Sequence, residues 1–207
     1  MNVAALLVPF LEKSLTDAQL SQISAYLELL LRWNARLNLT AVRDPEHIVT
    51  RHFGESLFAA CRLFPAPASA TARAIDVGSG AGFPGIPLKI FAPGIALTLI
   101  ESNQKKSAFL KEVTRALSLT NVNVFSGRAE DFPSTADLVT LRAVEHYERV
   151  LETAGRLVVP GGRLALLIGA TQAEHTPQLL SSFSWQPPIP IPQSSARVIL
   201  VGTNQHG

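Results

Sequence analysis

Apolar residues recur at helical intervals through the first third of the chain. Leu20, Ile23, Leu27, Leu30 and Leu31 make one stripe. Thr16, with Gln19 three positions on, has capping-box spacing, so a helix is predicted from that point with its stripe as packing surface. The run Arg32-Trp33-Asn34-Ala35-Arg36-Leu37-Asn38-Leu39-Thr40 then interrupts the pattern with two asparagines and a threonine. Short polar side chains of this kind bind nearby backbone groups and end helices. Asp44-Pro45 starts another helix, an N-cap followed by the proline that the first helical position tolerates. That helix carries Arg51-His52-Phe53-Gly54-Glu55-Ser56, a polar cluster that packing does not require. Arg51 and Glu55 within a turn of His52 point to a binding or orienting role.

A stretch rich in Pro, Ala and Ser from Phe64 to Ala72 marks a boundary. It divides an expected helical extension, residues 1–66, from a second part, residues 67–207. Beyond it strand-like and helix-like segments alternate: Ala74 to Val77, a helix to Phe91, Ala96 to Ile100, a helix from Asn103 to Leu117, Val122 to Phe125, Ala136 to Leu141, a helix to Val158, and Arg163 to Ile168. Such alternation predicts an α/β fold with a parallel sheet, helices on both faces, and a ligand at the carboxyl ends of the strands. The tail differs. Phe183 to Ile191 and Arg197 to Val201, split by Pro192-Gln193-Ser194-Ser195, read as an antiparallel hairpin at one edge, completing seven strands.

The chemistry gathers at the predicted strand tips. The first strand ends in Asp76, followed by Gly78, Gly80 and Gly82 at alternate positions, Phe83, and Pro84 at the start of a helix. Glycines there let the backbone turn tightly and approach a bound molecule. Gly80-x-Gly82-x-x-Gly85, with Glu101 further on, satisfies the dinucleotide-binding pattern, so the loop alone admits either NAD or S-adenosylmethionine. Asp76 leans toward the second, whose amino group and sulfonium are cationic. Glu101 ends the second strand, where a carboxylate can accept from both ribose hydroxyls at roughly 1.5–3 kcal/mol per charge-assisted bond. Gly127-Arg128-Ala129-Glu130-Asp131 would lie over an adenine, with the backbone amides of Ala129 and Glu130 at its edge. Arg142, directly after the fourth apolar run, is placed to touch cofactor or substrate.

Composition narrows the setting. With 207 residues and 47% hydrophobic content the chain can bury a real core. No apolar run has membrane-spanning length and no secretory signal is seen, so a cytoplasmic protein is expected. The one cysteine, Cys61, precludes an internal disulfide or a cysteine-rich metal site. It falls in an apolar helical pattern, as a packing residue does. A net charge of +2 permits a polyanion partner only through a local basic patch.

The motifs together resemble the RsmG (glucose-inhibited division protein B) methyltransferases almost end to end. The matching residues are Trp33-Asn34 with Asn38-Leu39-Thr40, Arg51-His52 with Ser56, Asp76 through Gly85, Ser102 with Lys105-Lys106 and Phe109-Leu110, Arg128-Ala129-Glu130, and Arg142-Ala143. The resemblance implies a class I methyltransferase, Rossmann-like, with a helical N-terminal extension. It further implies S-adenosylmethionine as cofactor and N7 of a guanine in 16S ribosomal RNA, guanine 527, as acceptor. Cofactor contacts are then expected at Asp76, Gly78, Gly80, Phe83, Glu101, Ser102, Asn103, Ala129, Glu130 and Arg142. The chain departs from the family in having Leu167-Ile168-Gly169 where Leu-Lys-Gly is common, and Glu55 and Glu101 where Asp is usual.

Guanine N7 carries a lone pair and no proton, so the reaction needs positioning rather than a general base. Arg142, Arg51 and His52 are the candidates for that work. RNA would approach over a basic surface drawn from Arg32, Arg36, Arg43, Arg51, Lys105, Lys106, Lys111 and Arg115, whose phosphate contacts give affinity and salt dependence rather than sequence choice. The partner is 16S RNA or the small subunit, met by a monomer that needs neither metal nor membrane. Other readings remain open at this point: a methyltransferase for another RNA or a small molecule, an NAD-binding oxidoreductase, and a catalytically silent RNA-binding protein.

Overall fold

The computed structural model describes residues 1–65, 72–144 and 146–205. Helix α1 (Val3–Leu7) and one 3-10 turn lead into α2 (Asp17–Leu37). The predicted Thr16–Gln19 capping box opens α2, and Asn38 in the left-handed region (φ 48°) closes it. Helix α3 (Pro45–Ile48), capped by Asp44, runs through a π-helical turn at Val49–Gly54 into α4 (Glu55–Leu63). The sequence pattern predicts an uninterrupted helix here. The wider turn carries Arg51 and His52, and such turns often mark functional sites.

The expected boundary between residues 66 and 67 lies outside the described residues. One apolar cluster nevertheless joins both sides of it: Tyr26, Leu30, Phe53 and Leu57 pack with Phe83, Ile86, Leu99 and Phe109.

The sheet contains β1 (Arg73–Val77), β2 (Ala96–Ile100), β3 (Val122–Phe125), β4 (Ala136–Arg142), β5 (Val158–Gly169), β6 (Phe183–Trp185), β7 (Ile189–Pro190) and β8 (Arg197–Asn204). Its order is β3-β2-β1-β4-β5-β8-β6, with β7 also paired to β8. The first five strands in that order are parallel and the tail is antiparallel. After β3 the chain returns to the other side of β1, so β1 and β4 flank the switch point where such sheets bind ligands. Helices α5 (Gly85–Phe91) and α6 (Gln104–Ala116) cover one face together with α2. Helices α7 (Tyr147–Arg156) and α8 (Ala170–Leu179) cover the other. Strand β5 is buried on both sides: Leu164, Leu166 and Ile168 face one apolar cluster while Ala165 and Leu167 face its counterpart.

Three local expectations change. There are eight strands rather than seven, because Pro187 and Pro188 lack the N–H groups a ladder needs and split Phe183 to Ile191 into β6 and β7. Strand β5 starts at Val158 instead of Arg163, with a register shift before Arg163 meets Leu138. Helix α8 was not signalled by periodicity, since only Ala173 and Thr176 of its ten residues are buried.

Candidate active site

The glycine loop after β1 is held from beneath by the N-terminal extension. Gly78, Gly80 and Gly82 have φ of 66°, 56° and 90°, a region costly for residues with a β-carbon. A Cβ at Gly82 would collide with the Tyr26 hydroxyl and lie 2.6 Å from Ile86 Cδ1. Tyr26, fully buried on α2, donates its hydroxyl to the Ala81 carbonyl. Its ring stacks on Phe83 with centroids 5.3 Å apart, and burial raises the phenol well above its ordinary pKa, so it remains a donor. The extension thus sets the shape of the loop.

Asp76 turns inward. Its carboxylate accepts from Thr140 Oγ1 on the neighbouring strand (2.7 Å) and from the Gly85 amide (3.2 Å). It is completely buried, which pushes its pKa up to about 6. Asp76 does not line the crevice above the loop. Direct contact with a cationic cofactor, expected from sequence, is corrected to anchorage of the loop and α5 onto the sheet.

Glu101 does face the crevice. One carboxylate oxygen accepts from Gly80 N and the other from Asn103 N, both at 2.8 Å. The acid is 7% exposed and therefore fixed in place. A carboxylate offers about four acceptor positions, so two remain for a ligand. Asn103 caps α6, its Oδ1 accepting from the amides of Lys105 and Lys106.

The crevice has a volume of about 690 Å³, within the range of small-molecule sites. One part of its wall is Gly78 to Ala81, Glu101 to Asn103 and Gly127 to Glu130; a second wall, meeting the first where His52 lies on Phe83, is Leu39, Thr40, Arg51, His52 and Arg142 to Val144. This second wall stands on buried charge. Glu55, 1% exposed, accepts from Arg142 Nη2 (3.0 Å) and from Arg197 Nε (2.7 Å). The same Arg142 nitrogen also donates to the Arg51 carbonyl (2.8 Å) and approaches His52 Nδ1 (3.2 Å). Burial, then the charges of Arg142, Arg51 and Arg197, lowers His52 to about 3. His52 is therefore neutral near pH 7 and lies over Phe83, ring centroids 5.0 Å apart.

Comparison with known proteins decides what this crevice belongs to. Residues 19–187 match the family described as GidB, rRNA small subunit methyltransferase G. The protein named ribosomal RNA small subunit methyltransferase G from Stenotrophomonas maltophilia strain K279a is 41% identical over 188 residues, covering 89% of this chain and 85% of that protein. Its namesake from Xanthomonas euvesicatoria is 42% identical over 165 residues, 79% of this chain and 75% of the relative. The chain belongs to the rRNA small subunit methyltransferase G family.

Among solved structures, an Aquifex aeolicus SAM-dependent methyltransferase superposes with TM-score 0.63 at 16% identity, covering 81% of this chain and 97% of the other. A ribosomal protein L11 methylase from Lactobacillus delbrueckii gives 0.61 at 14% identity, with 75% and 79% covered. At that identity they show the class I fold. The family member described here is accordingly an S-adenosylmethionine-dependent methyltransferase. The crevice fits that cofactor: glycines leave room above the loop, and the fixed Glu101 carboxylate offers free lone pairs to a sugar diol.

The structure brings together on the crevice surface Gly78, Gly80, Phe83, Glu101, Ser102, Asn103, Ala129, Glu130, Arg142, Arg51 and His52 of the residues singled out from sequence. Glu130 is exposed and bonds Arg149 at 2.9 Å. Of the basic candidates, Lys106 and Arg51 reach the crevice, while Lys105, Arg32, Arg36, Lys111 and Arg115 are exposed away from its walls. Arg43 folds back on the end of α2, donating to the Asn34 carbonyl and Asn38 Oδ1. Trp33 packs on Phe109, centroids 5.5 Å apart, and is not on the crevice wall. Sequence reasoning missed the Tyr26 anchor and Arg197. Arg197 stands across the ladder from Gly169 and brings a guanidinium to the strand end that has no lysine at Ile168. Nothing in the local sequence signals either role. Among the described residues no helix is long and apolar enough to cross a membrane.

Proposed function

We propose that this protein methylates N7 of guanine 527 in 16S ribosomal RNA. The observation that carries the reading is the two-walled crevice at the β1–β4 switch point, with Glu101 fixed on one side and a preorganised, base-free polar wall opposite. When bound, S-adenosylmethionine supplies a methyl group on a sulfonium, which the lone pair of guanine N7 can take with no proton to remove. Glu101 holds the ribose, the glycine loop admits the cofactor close to the backbone, and Ala129 borders the adenine. His52, neutral and engaged at both ring nitrogens, orients the opposite wall and exchanges no proton. Arg142 is turned toward Glu55 and away from the role of a free cation beside the acceptor, where positive charge grows. Arg51 and Lys106 at the crevice, with Lys105, Arg32 and Arg36 outside it, take RNA phosphates.

The test is methyl transfer from labelled S-adenosylmethionine to small ribosomal subunits and to naked 16S RNA, followed by mapping of the product. N7-methylguanine at position 527 is the expected result. A methyl group at another base or atom overturns the assignment.

A further inference from the structure

Both purines present a lone pair at N7, so the nucleophile itself cannot account for the choice of guanine over adenine. They differ at the neighbouring position: guanine has an O6 acceptor, adenine an N6 donor. A group that only donates, placed on the acceptor wall, would discriminate between them.

The hydrogen bonds of that wall favour such a group. An arginine can only donate. Arg142 Nη2 also serves the closer Arg51 carbonyl and Glu55. Having no lone pair of its own, it disfavours an N–H facing it at 3.2 Å, which favours the tautomer with the lone pair on His52 Nδ1 and the proton on Nε2. The Nε2–H lies 2.7 Å from Thr40 Oγ1 and so donates to it. The Val42 amide donates to the same oxygen at 3.1 Å. Thr40 Oγ1 thus accepts twice, and its own hydrogen has no acceptor among the described residues. Thr40 is half-buried and lines the crevice. Arg142, Glu55 and His52 together fix the polarity of a hydroxyl that would otherwise be free to donate or accept.

Resting on the guanine-N7 reading above, we infer that Thr40 is a specificity-determining residue whose hydroxyl donates to O6 of the target guanine. Arg142 and His52 are positioning residues in this scheme. O6 and N7 share one edge of the base, so a donor at O6 also registers N7 for attack. Being uncharged, the hydroxyl adds no cation beside a base that becomes positive on methylation. An adenine at the same place would set its amine against the Thr40 hydrogen, leaving two donors face to face.

The test uses full-length protein and 16S RNA ligated from fragments, so that the target position carries either guanosine or 2,6-diaminopurine. The analogue keeps N7 and replaces O6 by an amine. Wild type and Thr40→Ser should prefer guanosine by about tenfold or more in kcat/KM. Thr40→Val, which keeps the shape but loses the hydroxyl, should lose about tenfold on guanosine, with its preference falling to within about twofold. Calorimetric affinity for S-adenosylmethionine should be unchanged in both variants. The thermal midpoint should be unchanged in Thr40→Ser but lowered in Thr40→Val, where the Val42 amide and His52 Nε2 lose their acceptor. A purely structural loss would slow both substrates alike, so the guanosine preference separates loss of the donor from loss of the fold. Full activity or undiminished preference in Thr40→Val overturns the inference, as does a Thr40→Ser variant no better than Thr40→Val. Such results with N7-methylguanine still formed leave the guanine-N7 reading standing. A wild-type product methylated elsewhere overturns both.

Discussion

The two walls of the crevice are built in different ways. The cofactor wall is backbone: left-handed glycines, a helix N-terminus capped by Asn103, and one carboxylate pinned by two amides. Apart from the Tyr26 brace from α2, residues within one loop, or one strand away, determine it. The acceptor wall is side chain, carried by a π-helical turn and the ends of two strands, and its partners Glu55, Arg142 and Arg197 lie 87 and 142 positions apart in the chain. A wall of backbone holds a ligand common to a whole fold class. A wall of buried, mutually dependent charges can be changed for each acceptor without disturbing the first, and that division explains how one fold serves many substrates.

Removing the keystone of the acceptor wall should have the largest effect. Glu55→Gln leaves the Arg142 guanidinium buried without its counter-charge and should cost about 3–5 kcal/mol of folding stability in urea titration. A loss below about 1 kcal/mol would show that this wall does not depend on its ion pairs.

On the cofactor wall the expected change is smaller and of another kind. Glu101→Ala should weaken S-adenosylmethionine binding by at least about tenfold in calorimetry, the worth of about one charge-assisted bond. Unchanged affinity would reduce Glu101 to a loop brace and erase the contrast.

A different contrast lies in pH dependence, where His52 on one wall and Asp76, the anchor beneath the other, carry opposite signs. His52, at about 3 against an ordinary 6.5, contributes stability that is complete above pH 6.5 and is lost as pH falls toward 3. Asp76, at about 6 against 3.8, contributes stability that is complete below pH 3.8 and is lost as pH rises through 6. Between about pH 4 and 6 the two oppose each other, each with a slope of up to about 1.4 kcal/mol per pH unit. Relative to wild type, acidification through that window should stabilise His52→Gln, which keeps Asp76, and destabilise Asp76→Asn, which keeps His52. Slopes of the same sign in chemical denaturation would break the comparison.

The amino-acid sequence by itself determined the alternation of strands and helices, the glycine turn, the acid closing β2 and the capping residues that start α2 and α3. These are local: steric limits on backbone angles, short-range capping bonds and the periodicity of apolar residues are all legible within a few neighbours. Asp76 shows where locality ends, because an acid beside a ligand loop reads the same whether it faces the ligand or the sheet. Only packing against Thr140 and the Gly85 amide turned it inward. The tertiary structure alone likewise placed Arg197 against Glu55, put Tyr26 under the loop and set the Thr40 hydroxyl against His52 Nε2 and the Val42 amide. Each of these depends on burial, which makes an ion pair or hydrogen bond between distant segments obligatory and which no stretch of sequence encodes on its own.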